Sequence, residues 1–575
     1  MDIPTDSGRR NAASAADVLL AALKARGIDY FLANPGTDFP PIIEGFARAA
    51  ATAAVPRPLL VPHENAAVAM AHGVYMVSGR PQAVMVHTNV GTGNTLNALI
   101  NASRDNIPLL LLAGRSPISE AAGTHGARSR YIHWAQEMFD QAGMVREIVK
   151  WDYELRLPDE ADTVIARAIE IAMAPPCGPI YLTLPREVLA AAATRIHGNA
   201  LRHAVPVPAH PNPEAIETLA AWLAVAKLPL IITANAGRTP AGSAALTRLA
   251  ERFALPVVAF NPRHLALPSD HPLHQGFQPR PLLDEADLVI VLECDVPWIP
   301  SLEGPAAGCR VVYIGEDPSF DRYPMRSFPS DLSITAAAPA ALEALERALA
   351  ARLNPEDSAP IAQRQRALAE RSAARRAGAR AQSDKDEAAP HITPEWLSRC
   401  IGEVVGEQAI IVNEYPLRLE HCGRRLPGSY FGLSPSGGLG WGFGAALGAK
   451  LAARDRLVVA TLGDGAYVFA NPTACHWTAA AHDLPILIVV FNNSLYGAVR
   501  NATLAMYGQG AAARGRGELL ADLAPSPAFE KIVEASGGHG ARVETPGDVL
   551  PALKRAVDVV TREKRQALVN VICRY

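Results

Sequence analysis

Seven cysteines are spread over the 575 residues, at positions 177, 294, 309, 400, 422, 475 and 573, and no two of them form a Cys-x-x-Cys pair. That scatter argues against structural zinc and against a disulfide framework, and it suits a reducing compartment. An excess of charge of one sign is also missing. With 54 Lys and Arg against 57 Asp and Glu the net charge is −3, which gives no reason to expect nucleic acid or an acidic membrane surface as a partner. No stretch approaches the roughly 20 apolar residues of a membrane-spanning helix. The first residues, MDIPTDSGRRNAAS, hold no apolar core of the kind a signal peptide needs. The expected location is the cytoplasm.

What is present is a soluble globular composition, 49% hydrophobic and 19% charged. At 575 residues the chain exceeds what one core normally supports, so three domains of ordinary size are expected. A first amphipathic helix over 14–26 is followed by β-runs at 30–33, 59–61, 83–86 and 108–114, with helical stretches between them. Such alternation predicts a parallel, doubly wound sheet, closed by the run 180–185 near residue 190. Residues 191–212, rich in Ala, Pro and His, read as a connector. A second α/β unit has runs at 230–234, 257–260, 288–292 and 310–314. Its first turn, Asn235-Ala236-Gly237-Arg238, could hold a dinucleotide but is not GxGxxG, so a scaffold role is the expectation. From 351 to 390 the composition turns to Ala, Arg, Gln and Glu, as in a solvated helix plus linker. In the third domain Thr393 can cap a helix beginning at Pro394. A strand over 409–412, a loop over 413–436 and a last strand over 567–573 follow. The fold class is therefore α/β, with three doubly wound parallel-sheet domains at 1–190, 205–350 and 391–575 and a linker at 351–390.

The third domain carries the most informative stretch. The β-run 457–462 leads into Gly463-Asp464-Gly465, and a second run, 486–491, ends in Asn492-Asn493. Two parallel strands joined by a crossover helix would place both polar clusters at their carboxyl ends, where open α/β sheets bind ligands. Asp464 and Asn493 would then lie side by side. One carboxylate and one amide oxygen are an incomplete set of hard ligands. Mg²⁺ favours such a set, with phosphate oxygens and water filling the rest of an octahedron. A bare GDG is equally an ordinary strand-to-helix turn with a capping Asp. GDG followed at this distance by a double Asn, however, resembles the diphosphate-anchoring motif of thiamine diphosphate (ThDP) enzymes.

The wider chain is similar to the ThDP-dependent pyruvate decarboxylase and acetohydroxyacid synthase superfamily, with pyrimidine-binding, central and diphosphate-binding domains in that order. Within it the local match is to benzoylformate decarboxylase. NPGT at 34–37, HEN at 63–65, HTNVGTGN at 87–94, and NE followed by GSYF and GGLGWG between 413 and 442 carry that resemblance. It implies that Glu64 hydrogen-bonds N1′ of the aminopyrimidine. A carboxyl in an apolar pocket keeps its proton more readily, so it can share it with the ring and shift the exocyclic amine toward an imine. The imine then takes the thiazolium C2 proton. Leu439 would wedge between the two rings of the bent cofactor, and the Gly437 carbonyl would accept from the amine. Gly463, Asp464, Gly465 and Ala466 would cradle the diphosphate. Asp464, Asn493 and the Leu495 backbone oxygen would hold Mg²⁺.

His87 matches the family's catalytic histidine and is expected to do acid/base work, the other reading being a strand-end histidine satisfied by backbone. Thr37 stands where benzoylformate decarboxylase uses a hydroxyl to touch the substrate carboxylate. That enzyme's second catalytic histidine has no counterpart after the run 288–292, where Cys294 to Pro300 contain none. His264, His271 and His274 are expected to be structural, and Trp298, His133, Arg418 and His421 are candidates to line the pocket. Gln136-Glu137 resembles the FQE segment of acetohydroxyacid synthases, whose glutamine contacts the reaction centre.

The resemblance implies a carbon–carbon lyase: a non-oxidative 2-oxo acid decarboxylase that forms an enamine and releases an aldehyde. An acetolactate synthase-like carboligase is the nearest alternative. A 2-hydroxyacyl-CoA lyase or oxalyl-CoA decarboxylase is the next; those relatives often carry a C-terminal extension over the CoA entrance, and this sequence ends at Tyr575, so that reading is the less expected. FAD is allowed by the family but not indicated. A homodimer, paired into a tetramer, is expected, because such sites are shared between chains.

Overall fold

A computed structural model of the chain describes residues 13–50, 53–193, 204–354, 358–515 and 519–574. Residues 1–12, on which the reading of the N-terminus rested, part of the 191–212 connector and Tyr575 lie outside the described residues.

All three sheets are parallel. The first contains β1 (Tyr30–Asn34), β2 (Arg57–Leu60), β3 (Ala83–Val86), β4 (Leu110–Arg115), β5 (Trp151–Glu154) and β6 (Ile180–Pro185), in the order β2-β1-β3-β4-β6-β5. The second contains β7 (Pro229–Thr233), β8 (Val257–Ala259), β9 (Leu288–Leu292), β10 (Arg310–Gly315) and β11 (Leu332–Thr335), in the order β11-β10-β9-β7-β8. The third contains β12 (Ile410–Glu414), β13 (Tyr430–Gly432), β14 (Val458–Gly463), β15 (Leu487–Asn492), β16 (His539–Val543) and β17 (Ala567–Ile572), in the order β13-β12-β14-β15-β17-β16. Strand order reverses between β1 and β3, between β7 and β9, and between β12 and β14. Those are the points at which doubly wound sheets open a crevice at their carboxyl ends.

The apolar runs became the central strands, whose side chains are buried on both faces. Four strands were not expected: β5, β11, β13 and β16, each at a sheet edge. An edge strand pairs on one side only and needs no continuous apolar run; β5 reads Trp-Asp-Tyr-Glu and is half-buried throughout. The loop expected over 413–436 also needs correction, because β13, though buried, is only three residues long and gives no run to read. Asn413 and Glu414 end β12, and a short helix (Leu419–Cys422) and β13 occupy part of the remainder.

The chain forms two compact units, one of 1–206 with 434–453 and 469–484, the other of 207–433, 454–468 and 485–575. In the first unit the helices Glu64–Ser78 and Trp441–Ala452 pack backbone against backbone. A Cβ on Gly448 would come within 2.0 Å of the Met70 carbonyl, and one on Gly73 within 2.0 Å of the Ala445 carbonyl. In the second unit Thr393 caps the helix Pro394–Val405 by accepting from the Trp396 amide at 3.1 Å. A long polar helix, Ser358–Glu387, precedes it. Among the described residues no helix is long and apolar enough to cross a membrane.

Candidate active site

In the first unit β1 and β3 deliver their following residues to the crevice where strand order reverses. After β1 come Pro35, Gly36, Thr37 and Asp38; after β3 comes His87, at the start of the helix Thr88–Arg104. His87 Nδ1 lies 2.5 Å from Asp38 Oδ1, and Asp38 Oδ2 takes the Thr88 amide at 3.4 Å. The hydrogen bond to Asp38 raises the His87 pKa; burial opposes this, and the charges of Asp38 and Glu64 add to the rise. His87 is therefore held by a carboxylate rather than by backbone alone. Asp38 was missed in the sequence, although it directly follows the NPGT motif, because nothing local links it to a histidine 49 residues on.

The 116–141 segment adds two more groups. Gln136 Nε2 lies 3.1 Å from His87 Nε2, and His133 Nε2 lies 3.5 Å from Thr37 Oγ1. The Ser129 amide donates to His133 Nδ1 at 3.1 Å, which leaves the ring proton on Nε2, facing Thr37. Burial, with the neighbouring Arg186 and Arg128, lowers the His133 pKa and keeps the ring neutral near pH 7. Glu137 turns to Arg115 and Arg128 at 2.9 and 2.6 Å. Arg186 donates to the Thr37 carbonyl at 3.1 Å and to carbonyls of the same segment.

Glu64 opens the helix Glu64–Ser78, one residue earlier than expected, and is 7% exposed. The motif around it divides the labour. His63 caps the helix through Nδ1, accepting from the Asn65 amide at 3.2 Å. Asn65 Oδ1 accepts from the Ala98 amide at 3.0 Å. The pocket of Glu64 is not purely apolar as expected, since Asn94 donates to Glu64 Oε2 at 3.1 Å. Glu64 Oε1 faces Gly91, where a Cβ would sit 3.4 Å away.

The turn that carries Gly437 and Leu439 is pinned to that same helix, Thr88–Arg104. Asn97 donates to the Leu439 carbonyl at 2.8 Å; Asn101 donates to the Gly438 carbonyl at 2.7 Å and accepts from its amide at 3.0 Å. Gly437 has φ +65, a left-handed conformation that favours glycine, and its carbonyl accepts no bond among the described residues. Thr37, Glu64, His87, Gly437 and Leu439 thus all belong to the first unit.

Gly463, Asp464, Gly465, Ala466, Asn493 and Leu495 belong to the second. β14 and β15 are neighbours with Gly463 opposite Phe491, so the residues after each emerge together. Asp464 is 3% exposed; Oδ1 accepts from the Gly465 amide at 2.8 Å, while Oδ2 is buried with no hydrogen-bond partner. Burial pushes this carboxyl above the usual range, and the amides of Gly465, Ser494 and Leu495 oppose the shift.

The two asparagines differ. Asn492 is fully buried and builds the turn, donating to Ser526 and Asn570 at 2.8 and 3.0 Å and accepting from the Ser494 amide at 3.1 Å. Asn493 accepts from the Leu495 amide at 3.0 Å and keeps a second lone pair on the same oxygen. A bridge to Asp522 uses the Ser494 carbonyl and the Tyr496 amide, which leaves the Leu495 carbonyl outside it. Gly465 is required because a Cβ there would meet the Tyr496 ring at 2.6 Å. Among the described residues no three His, Cys, Asp or Glu side chains converge to hold a metal. A cation beside Asp464 would therefore draw on amide and carbonyl oxygens and on the ligand itself. The orphaned Asp464 oxygen and the spare Leu495 carbonyl fit that requirement.

Three candidates for the pocket wall lie elsewhere. Trp298 is 2% exposed, packed edge-on against Phe328 inside the central domain. His421 Nδ1 is engaged by Ser383 Oγ at 2.7 Å, and exposed Arg418 faces Glu395 at 3.9 Å. Both serve the helices around 358–405, because the short helix that carries them folds back on these. His274 is fully buried and pushed down to about 3 by that burial, as suits a neutral scaffold histidine. At the carboxyl ends of β7 and β9 the chain's own groups pair with one another: Arg263 donates to Asn235 and Asp295 at 3.1 and 3.0 Å, and Tyr323 donates to Asp295 at 2.8 Å.

The comparisons agree across the chain. Residues 13–144 match the thiamine pyrophosphate enzyme N-terminal TPP binding domain, 216–345 the central domain and 417–571 the C-terminal TPP binding domain. The chain is 28% identical over 495 residues to a benzoylformate decarboxylase of Pseudomonas aeruginosa, covering 83% of this chain and 85% of that one. It is 24% identical over 563 residues to an acetolactate synthase large subunit of Mycobacterium tuberculosis, covering 96% and 95%. It is 28% identical over 512 residues to a probable 2-ketoarginine decarboxylase of Pseudomonas aeruginosa, covering 86% and 84%. In fold it is similar to a ThDP-dependent 4-hydroxybenzoylformate decarboxylase of Rhodococcus jostii, with TM-score 0.78, 24% identity and coverage of 98% and 99%. A benzoylformate decarboxylase of Polynucleobacter necessarius gives TM-score 0.79, 21% identity and coverage of 98% of each chain. With all three domains matched in order on three parallel α/β sheets, the chain belongs to the thiamine pyrophosphate enzymes.

Proposed function

We propose that this ThDP enzyme is a Mg²⁺-dependent, non-oxidative 2-oxo acid decarboxylase that releases an aldehyde. The observation that carries the reading is the pairing of an acid with an anion-binding hydroxyl: His87, backed by Asp38, beside Thr37, which is backed by His133. Bound to the chain, ThDP supplies the electron sink for cleavage next to a carbonyl.

The residues do the rest. Glu64 Oε2 is taken by Asn94, so Oε1 is the atom that would share a proton with the aminopyrimidine. His133 donates Nε2–H to the Thr37 oxygen, which leaves the Thr37 hydroxyl proton to hold the substrate carboxylate. His87 brings a proton through Nε2 to the substrate's reacting atoms. Gly437 and Leu439 would hold the pyrimidine end, Leu439 as the wedge. Gly463, Gly465 and Ala466 would admit the diphosphate, and Asp464, Asn493 and the Leu495 carbonyl would hold Mg²⁺. The pairing of Asn235, Arg263 and Asp295 at the ends of β7 and β9 favours a scaffold role for the central domain over an FAD or CoA site.

One observation favours a second reading, carboligation by transfer to a second carbonyl: Gln136, from the segment similar to the synthases' FQE, does touch His87. The two readings are separated by incubating purified protein with ThDP, Mg²⁺ and a panel of 2-oxo acids, with and without an acceptor aldehyde, and identifying products by mass. Free aldehyde with CO₂ supports the first reading, a ligated hydroxyketone the second, and no consumption of any 2-oxo acid defeats both.

A further inference from the structure

We propose that Asp38 is a positioning residue that fixes His87 as a proton donor acting through Nε2, an inference that rests on the decarboxylase reading above. The contact is built by packing. Asp38 is 2% exposed and 2.5 Å from the ring. Two glycines make the room for it: a Cβ on Gly36 would fall 2.2 Å from the His87 ring, and one on Gly114 would fall 1.6 Å from Asp38 Oδ2. Any other residue at either position would push the pair apart.

With Nδ1–H committed to a carboxylate, Nε2 is the one ring atom at which a proton comes and goes. Gln136 accompanies both states. The neutral ring accepts from its amide nitrogen at 3.1 Å, and a half-turn of the amide presents its oxygen to the imidazolium. The charged neighbours come from every side. Asp38, after β1, and Glu64, on its helix, favour the cation; His133, from the 116–141 segment, faces the ring; Arg186, after β6, faces Asp38. The two carboxylates prevail over burial, so the ring is cationic at a higher pH than an isolated histidine.

The step balances. The bond to the carboxylate breaks and CO₂ leaves; the electron pair left on the former carbonyl carbon takes the Nε2 proton; the neutral ring regains a proton from water. A 2-oxo acid anion and one proton give an aldehyde and CO₂.

The test is nitrogen-15 NMR of the full-length, histidine-labelled protein without substrate, with His87 assigned by its loss in His87→Gln. In the unaltered protein Nδ1 stays protonated and the midpoint lies above 6.5. In Asp38→Asn the midpoint falls by about one pH unit or more, the scale on which a lost charge partner acts. A midpoint at or below 6.5 in the unaltered protein, or an unchanged one in Asp38→Asn, overturns the proposal.

A kinetic arm separates positioning from mere support of the fold. At about pH 8 kcat of Asp38→Asn falls roughly 10-fold with KM little changed, and at about pH 5.5, where the ring is protonated unaided, most of the loss is recovered. An equal loss at every pH overturns the proposal. If Asp38→Asn does not fold, Gly114→Ala, which displaces Asp38 while keeping it, carries the same expectation. If the NMR result holds and no 2-oxo acid is consumed, the decarboxylase reading falls and the assignment of Asp38 stands. If turnover is found with an unshifted midpoint, the reverse is true.

Discussion

Glu64 and Asp464 are both nearly buried carboxylates, and their surroundings give them different work. Glu64 has one oxygen bonded to an amide and the other beside a glycine, so it is suited to share a proton rather than to hold a metal. Asp464 has one oxygen with no partner at all, a costly state in a buried carboxylate unless a cation completes it. Calorimetry with ThDP and Mg²⁺ is expected to show near-normal binding for Glu64→Gln, with activity down by about 10²- to 10⁴-fold. Asp464→Ala is expected to lose Mg²⁺-dependent binding itself; equal, full activity in either variant would contradict these roles.

His87 supports a separate expectation for stability. Its folded pKa is raised, chiefly by the hydrogen bond to Asp38. The stabilisation from that pair is therefore complete below the ordinary value of 6.5 and is lost as pH rises through the folded value. Urea midpoints measured from about pH 6 upward should fall across that window in the unaltered protein and lose this component in His87→Gln.

At the scale of elements, the helix Thr88–Arg104 is the organiser. It begins at His87, sends Asn94 to Glu64, and sends Asn97 and Asn101 to the Leu439 turn. Asn101 is fully buried and also takes the Ser436 hydroxyl at 2.6 Å. Its removal would leave the Gly438 amide and carbonyl unsatisfied, at a cost of about 1–3 kcal/mol. Asn101→Ala should lower the urea midpoint accordingly and weaken ThDP binding. Unchanged affinity would mean that the turn holds its shape without that pin. The motif HTNVGTGN marks where this helix starts, but Asn97 and Asn101 lie beyond it, and their partners are more than 300 residues away.

For the whole molecule, the residues proposed for the pyrimidine and those proposed for the metal are divided between two compact units. Large apolar side chains also stand exposed: Tyr131 and Phe139 on the 116–141 segment, Leu519 and Leu520 after the second unit's exposed helices. Such side chains are commonly covered in an assembly. Sedimentation is expected to find a dimer or a tetramer, with activity confined to those species; an active monomer would contradict a site shared between copies.

The sequence by itself determined the three central sheets and the motifs that name the cofactor. Short apolar runs bounded by turn residues mark strands buried on both faces, and GDG with a following Asn pair brings an Asp and an Asn to the ends of neighbouring strands within the motif itself. What only the tertiary structure decided is which groups stand behind them. Asp38 behind His87, His133 behind Thr37 and Asn94 behind Glu64 are contacts across strands and segments, fixed by packing rather than by neighbours in sequence. The same holds for the four edge strands, which show no long apolar run: β5 is half-buried throughout, and β13, although buried, is only three residues long.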